Sequence, residues 1–203
     1  SAYVLTTDFP ESDGTFEWDK TTLVVVDVAS GATPGLGYTY ASRATGRFVE
    51  ETLAPVVVGK DAMGVPACCR AMAGAVRNLG HPGVASMAIS AVDAALWDLK
   101  ARLLGLPLVT LLGAARARVP LYGSGGFTSY PEDRLTAQLA GWAEQGFSRV
   151  KMKVGRDAKA DRVRVRLARA AIGPSIELFV DANGAYSRKQ ALAQAEDFAA
   201  SGV

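Results

Sequence analysis

Hydrophobic positions near the middle of the chain repeat at helical spacing. Spacings of four, three and four residues separate Val92, Leu96, Leu99 and Leu103. This stripe predicts an amphipathic helix over residues 84–104, which Gly105 and Pro107 would end. Helical patterns begin after Thr45 and include an alanine-rich stretch over residues 66–79.

The first forty residues have the pattern of β structure. Residues 22–28 are mostly β-branched, and Val24, Val26 and Val28 would share one face of a strand. A turn is predicted at residues 12–14, and a glycine-rich turn is predicted after the strand.

The second half of the chain alternates between strand and helix patterns. Strands are predicted at 119–122, 147–154 and 175–180, and helices at 131–145, 157–172 and 187–200. Residues 163–167 alternate like a strand, which weakens the second helix. The repeats begin near residues 119, 147 and 175, about 28 residues apart, as in a parallel sheet or an eight-fold barrel. We therefore expect an α+β domain over residues 1–113 and a β/α array over residues 114–203.

Composition excludes a disordered chain, a membrane-spanning chain and a small protein held together by disulfides. With 49% hydrophobic and 21% charged residues and a net charge of +2, the chain can bury a core. No apolar run approaches the roughly 18 residues of a membrane span. The two cysteines are adjacent and cannot form an ordinary disulfide, so a reducing, cytoplasmic location is the default expectation.

Basic residues concentrate between residues 149 and 169. A basic run can mark nucleic-acid contact. The arginines at 162, 164, 166 and 169, however, spread around a helix without aromatic neighbours. We expect the solvated outer face of a helix, and no nucleic-acid partner.

Lys151 and Lys153 are two residues apart on a predicted strand and would point to the same side. If the apolar residues between them face covering helices, the lysines face a barrel interior. Attachment points about 7 Å apart imply a repulsion of roughly 2.4 kcal/mol at an effective dielectric of about 20, which would lower one lysine pKa by about 1.7. The alternative is an amphipathic strand with both lysines in water.

Asp181 and Asn183 follow the third strand. A carboxylate at the carboxyl end of a barrel strand could hold Mg²⁺, and Asn183 could orient a ligand, although both could serve only turn structure. Residues 123–126 could cradle an anion through backbone N–H groups, but such glycine-rich loops are common. A divalent cation opposite a lysine base suits removal of a proton beside a carboxylate.

At these residues the chain resembles the enolase superfamily, in the mandelate racemase and muconate lactonizing enzyme group. Residues 86–99 resemble the long helix of that group's capping domain, and residues 111–113 resemble its exit. The triplets Lys151-Met152-Lys153 and Asp181-Ala182-Asn183 resemble its motifs on the second and third barrel strands. The resemblance implies an α/β fold: an α+β capping domain with a three-stranded sheet, then the first three β/α units of a TIM-type barrel that is incomplete in this chain.

The resemblance also implies roles for these residues. Lys153 would be the acid/base, Lys151 would contact the substrate carboxylate and depress the pKa of Lys153, and Asp181 would bind Mg²⁺. Asn183 and Tyr38 would contact substrate or support the site. Residues 8–14 and 37–40 resemble two capping loops, the first of them mobile, that close over the substrate.

The implied activity is Mg²⁺-dependent removal of the proton α to a small carboxylate substrate through an enediolate, as in acid-sugar dehydratases, racemases, epimerases and cycloisomerases. A Schiff-base lysine enzyme and a truncated, non-catalytic barrel are the alternatives. The resemblance further implies a homo-oligomer. It places two more metal ligands and a second base on later strands, so we expect a native chain nearly twice this length.

Overall fold

The structure is a computed structural model that describes all 203 residues, and contacts divide the chain into two compact units. The first unit comprises residues 1–6 and 20–117, and the second comprises residues 7–19 and 118–203. Strands β1 and β2 each have residues in both units. The division into domains 1–113 and 114–203 stays a sequence prediction.

Three strands form a sheet in the order β1-β2-β3, and β2 and β3 are antiparallel with Val25 opposite Tyr38. A π-helical turn over Val49–Leu53 interrupts the helices that follow. The strands are β1 (Ala2–Ser12), β2 (Glu17–Ser30) and β3 (Thr33–Tyr40), and the helices are α1 (Arg43–Phe48), α2 (Ala54–Val57), α3 (Val65–Ala75), α4 (Val84–Leu103) and α5 (Leu108–Leu112).

Helix α4 confirms the helix predicted over residues 84–104 and supplies the centre of the first unit's core. Val92, Leu96 and Leu99 are buried, and Leu53 and Met72 pack in the same region. The fourth residue of the predicted stripe, Leu103, is 39% exposed at the helix end. The residues of the apolar stripe are therefore buried along α4 except in the last turn of the helix.

The predicted glycine-rich turn is confined to the residues around Gly31, because Gly35 and Gly37 lie inside β3. These two glycines let β3 approach α4 closely. A Cβ on Gly37 would lie 2.0 Å from the Ala91 carbonyl oxygen, and one on Gly35 would lie 2.4 Å from that of Ala95. The glycines after β2 therefore serve packing of strand against helix.

The second unit contains a parallel sheet in the order β4-β5-β6, with a helix after each strand. The strands are β4 (Gly123–Ser124), β5 (Arg149–Lys153) and β6 (Glu177–Asp181), and the helices are α6 (Glu132–Glu144), α7 (Ala158–Ile172) and α8 (Arg188–Ala199). The strand-like alternation at 163–167 lies inside α7. Asp157 caps α7, and Ser187 caps α8 in a capping box with Gln190, as predicted for Ser187.

The strand predicted over residues 119–122 is wrong, because strand pairing begins at Gly123. Gly123 pairs with Val150 near the start of β5, so the four preceding residues have no neighbouring strand. Val119 and Leu121 are exposed. Apolar alternation alone does not make a strand where no partner supplies hydrogen bonds.

The expectation that the arginines of α7 lie on a solvated face is wrong for two of them. The Arg164 side chain is buried and donates to three backbone carbonyl groups. Arg169 donates to four carbonyl groups, including those of Gly173 and Ile176. Arg162 conforms to the expectation, since it lies at the surface and pairs with Asp197.

Helices α6, α7 and α8 cover one face of the parallel sheet and enclose the second unit's core. That core contains Leu135 and Leu139 from α6, Val150 and Met152 from β5, and Phe198 from α8. No helix anywhere in the chain has the length and apolar character that crossing a membrane requires.

Candidate active site

Strand β5 separates an apolar side from a cationic side. Val150, Met152 and Val154 are almost fully buried toward the helices. Because side chains alternate along a strand, Lys151 and Lys153 point the other way. The parallel register places Lys153 opposite Asp181 on β6. The alternation of the sequence thus brings both ammonium groups to the side of the sheet that carries Asp181.

Both lysines bind the same carboxylate oxygen. The Nζ atoms of Lys151 and Lys153 lie 3.0 Å and 2.7 Å from Oδ2 of Asp181. The two lysine side chains are 15% and 12% exposed, whereas the Asp181 side chain is 34% exposed. The alternative of lysines in open water is therefore wrong, and the site is a partly enclosed cluster of two cations and one anion.

Asn183 completes the cluster from the loop after β6. Its Oδ1 accepts a hydrogen bond of 2.7 Å from Nζ of Lys153, and its backbone N–H donates to Oδ1 of Asp181 at 3.0 Å. Asn183 has a φ of 49°, a left-handed conformation that asparagine tolerates better than most residues. Asn183 thus serves both the turn and the site, which the sequence had left as alternatives.

The electrostatics differ from the expectation of simple lysine repulsion. Burial opposes ionisation of Asp181, but hydrogen bonds from Lys153, Lys151 and the Asn183 N–H outweigh it and lower its pKa to about 2. Burial also acts to lower the pKa of Lys151, yet the hydrogen bond to Asp181 raises it above the ordinary value. Lys151 therefore stays cationic, because Asp181 compensates the positive charge of the neighbouring lysine.

The hairpin tip between β1 and β2 belongs to the same unit as these residues. Residues 8–12 of the predicted mobile loop lie in β1. Ser12 and Asp13 are buried, and the Thr128 hydroxyl lies 2.6 Å from the Ser12 hydroxyl and donates to the Asp13 carbonyl. The residues expected to form a loop thus form a strand end and a tight turn held by hydrogen bonds.

Asp13 is an acidic group near the site that the sequence did not single out. Its Oδ1 accepts hydrogen bonds from both the N–H and the hydroxyl of Thr15 and from the Phe16 N–H. Burial acts to raise its pKa, but these bonds and the charge of Lys153 together lower it. The Ser-Asp-Gly turn signal was present, but the proximity of Asp13 to Lys153 depends on tertiary structure.

The loop after β4 is not an anion cradle. The Gly125 N–H donates to the Lys151 carbonyl, and the Gly126 N–H donates to the side chain of Gln138. N–H groups that already have acceptors cannot coordinate an anion. This loop continues the sheet and packs against α6.

Tyr38 lies in β3 of the first unit, 60% exposed and edge-to-face with Tyr40 at a ring distance of 6.3 Å. The expectation of a capping loop at residues 37–40 is wrong, since these residues form a strand. The role of Tyr38 as a substrate contact stays a prediction.

Comparison with known proteins agrees with this arrangement. The N-terminal domain model of mandelate racemase / muconate lactonizing enzyme matches residues 9–113, and the enolase C-terminal domain-like model matches residues 134–203. The chain belongs to the mandelate racemase / muconate lactonizing enzyme family. Its fold is accordingly that family's capping domain followed by the first β/α units of the barrel.

Three relatives illustrate the similarity. A mandelate racemase/muconate lactonizing enzyme-like protein from Rubrobacter xylanophilus is 60% identical with a TM-score of 0.96, over 99% of this chain and 56% of that one. A racemase from Streptomyces coelicolor A3(2), solved with bound magnesium, is 33% identical with a TM-score of 0.92, over 98% and 58%. L-talarate/galactarate dehydratase of Salmonella typhimurium is 36% identical over 163 residues, 78% of this chain and 41% of that enzyme. The chain thus spans about half the length of these family members.

In this chain, the properties of the Asp181 side chain are those of one ligand to a magnesium ion. Its low pKa keeps the carboxylate ionised, its side chain is partly exposed, and a hard cation prefers oxygen ligands. No group of three or more His, Cys, Asp or Glu side chains comes together in these 203 residues. Asp181 would therefore contribute one carboxylate, with the other ligands supplied from elsewhere.

Proposed function

We propose that these residues form part of the active site of an enzyme that removes the proton α to a carboxylate with the help of Mg²⁺. The observation that carries the proposal is the convergence of Lys151, Lys153 and Asp181 at the carboxyl ends of adjacent parallel strands. Ligands of parallel β/α proteins bind at this end. Family membership and a related racemase with bound magnesium support it.

Lys153 is the proposed acid/base. Its Nζ lies between Asp181 and Asn183, which fix its direction through two hydrogen bonds of 2.7 Å. A base must first lose a proton, so the neutral amine would accept the substrate proton that the ammonium group later returns. Asn183 then keeps the nitrogen oriented while its charge changes.

Lys151 is the proposed contact of the substrate carboxylate. It remains cationic beside Asp181, and a fixed positive charge stabilises negative charge that develops on the substrate. Bound Mg²⁺, held in part by Asp181, supplies further positive charge for the same purpose. The binding of a small acid would thus be shared between Lys151 and the cation.

Among reactions that begin with this step, dehydration of a sugar acid and racemisation or epimerisation are the proposed outcomes. A dehydratase and a racemase are both among the relatives. The substrate is accordingly a small carboxylate. A homo-oligomer, a cytoplasmic location and the absence of a nucleic-acid partner stay predictions.

Substitution of Lys153 by alanine tests the proposal directly. The full-length protein with Mg²⁺ is incubated with galactarate, L-talarate or mandelate in deuterated water. Loss of the α-proton signal, by exchange with solvent or by dehydration, is followed by proton NMR and is counted as exchange. We expect Lys153→Ala to lower the rate of exchange by about 10²- to 10⁴-fold, the usual contribution of a positioned base.

Lys159→Ala is the matched control, because Lys159 is an exposed lysine on α7 outside the cluster. It should exchange the α-proton at the rate of the unsubstituted protein. Retained exchange in Lys153→Ala with an intact fold would refute the role of Lys153. The Schiff-base alternative predicts covalent trapping of substrate by borohydride, and the non-catalytic alternative predicts neither exchange nor binding of Mg²⁺ in calorimetry.

A further inference from the structure

Helix α7 carries a buried carboxylate that the proposed chemistry leaves unused. Asp161 lies in the first turn of this helix and is only 1% exposed. Aspartate is almost never buried to this degree unless its oxygens have partners, because a desolvated charge is costly. The partners of Asp161 therefore indicate what the burial achieves.

Those partners come from the loops that follow β5 and β6. Oδ2 of Asp161 accepts hydrogen bonds from the Gly155 N–H at 2.7 Å and from the Tyr186 hydroxyl at 2.9 Å. Gly155 is two residues after Lys153, and Tyr186 is three residues after Asn183. One carboxylate oxygen thus connects the two loops that carry the proposed base and its orienting amide.

The backbone of Gly155 adopts the conformation and the close packing that this connection requires. Gly155 has a φ of 113°, which side-chain-bearing residues rarely adopt. A Cβ there would also lie 2.8 Å from Cβ of Ala185, in the loop after β6. The loop after β5 is therefore held against its neighbour in a conformation that directs its N–H toward Asp161.

The hydroxyl of Tyr186 stays protonated and so can donate a hydrogen bond to Asp161. Burial raises its pKa, and its hydrogen bond to Asp161 raises it further. Burial also raises the pKa of Asp161, although the Gly155 N–H, the Tyr186 hydroxyl and the charge of Arg164 oppose this, whereas Asp157 reinforces it. Tyr186 therefore keeps its proton at neutral pH and can donate it to the hydrogen bond with Asp161.

Arg164, one turn further along α7, makes the equivalent connection to the loop after β4. It is 8% exposed and donates to the carbonyl groups of Gly126, Phe127 and Tyr130. The Gly126 carbonyl also accepts the backbone N–H of Lys153 at 3.0 Å. The same helix therefore contacts the backbone on both sides of Lys153.

We propose that Asp161, acting through Gly155 and Tyr186, is a positioning residue that sets the relative placement of Lys153 and Asn183 for proton removal. The inference rests on the proposed function, and it concerns residues that touch neither the substrate nor the metal. A displacement of about 1 Å in a base is enough to lower a rate about 10²-fold. Loss of the hydrogen bonds to Asp161 should therefore lower the turnover number more than it weakens the binding of substrate.

Two variants of the full-length protein test this inference. Tyr186→Phe removes one hydrogen bond to Asp161, and Asp161→Asn removes the charge while keeping an oxygen that can accept from Gly155. We expect each to lower kcat by about 10- to 100-fold and to change KM less than about threefold, with the acid that the unsubstituted protein exchanges fastest. Amide hydrogen exchange in residues 154–157 and 183–187 should become faster in both.

Tyr130→Phe is the matched control, since the side chain of this buried tyrosine contacts its neighbours through its ring. The substitution keeps the ring and the backbone carbonyl that accepts from Arg164. It should keep the kcat of the unsubstituted protein. Normal kcat in Tyr186→Phe overturns the inference, and this variant decides if Asp161→Asn does not fold. If the unsubstituted protein neither exchanges the α-proton nor dehydrates the acid, the proposed function is contradicted. Unchanged amide exchange in Tyr186→Phe would then still refute the connection between the two loops.

Discussion

Asp181 holds more of the site together than either lysine does. It accepts from both ammonium groups, which are largely removed from water. Removing Lys153 leaves Lys151 paired with Asp181, whereas removing the carboxylate leaves two neighbouring cations without compensation. Loss of one partner of a buried pair is the costly change. Lysine variants should therefore retain the fold better than Asp181 variants do, which makes Lys153→Ala an informative test of chemistry.

The ionisation of Asp13 should make the stability of the hairpin tip between β1 and β2 depend on pH. Because its pKa in the folded protein lies below the ordinary value of 3.8, the folded state binds this proton less tightly than the unfolded state does. The stabilisation that ionised Asp13 provides is present above pH 3.8 and is lost as the pH falls through the folded pKa. Asp13→Asn removes this dependence, since an amide does not titrate in this range.

Urea unfolding of the full-length protein at pH 3 to 7 checks this prediction. The difference in free energy of unfolding between the unsubstituted protein and Asp13→Asn should be largest at neutral pH and should shrink below pH 3.8. A difference that stays constant over this range would show that the Asp13 charge does not stabilise the turn at Thr15 and Phe16.

At the scale of elements, the contact of β3 with α4 depends on the absence of a side chain at Gly37. An added Cβ would overlap the Ala91 carbonyl oxygen and the Ala95 nitrogen, which are backbone atoms of a buried helix and cannot move independently. We expect Gly37→Ala to lower the free energy of unfolding by about 3 kcal/mol or more, at the upper end of overpacking costs.

Gly74→Ala provides the opposite expectation in the same unit. Gly74 lies in α3, and a Cβ there meets no atom within 4 Å. Because alanine loses less backbone entropy in a helix, this substitution should stabilise the protein by about 0.5–1 kcal/mol. Thermal unfolding of Gly37→Ala and Gly74→Ala checks both expectations. Equal changes in the free energy of unfolding would show that the close approach of β3 and α4 does not limit stability.

The elements that the sequence predicted well are those whose pattern is local. The alternation in β5 identifies which residues face the covering helices, and the stripe in α4 identifies a core helix, because each depends only on neighbours in the chain. Arg164 could not be predicted in this way. Its acceptors are backbone carbonyl groups 34 to 38 residues earlier, in a loop that comes close to α7 only in the folded protein.

At the scale of the whole chain, each unit encloses its own apolar core. The 28-residue period predicted the β/α order, and the triplets at 151–153 and 181–183 predicted which side chains meet. The assignment of residues 7–19 to the second unit was not predictable, because a hairpin pattern specifies pairing within the hairpin and carries no information about tertiary contacts. The connection between Asp161 and Tyr186 was missed for the same reason.

Binding of magnesium should stabilise the full-length protein as a whole, since a cation that binds the folded state alone raises the free energy of unfolding. At a free concentration of 100 times the dissociation constant, the gain is about 2.7 kcal/mol. We expect Mg²⁺ to raise the thermal unfolding temperature of the unsubstituted protein and of Asp133→Asn, an exposed aspartate on α6 that serves as the control. Asp181→Asn should lose most of this rise, because an amide oxygen is a weaker ligand than a carboxylate. An undiminished rise in Asp181→Asn would mean that the metal binds elsewhere, and no rise in any variant would remove Mg²⁺ from the mechanism.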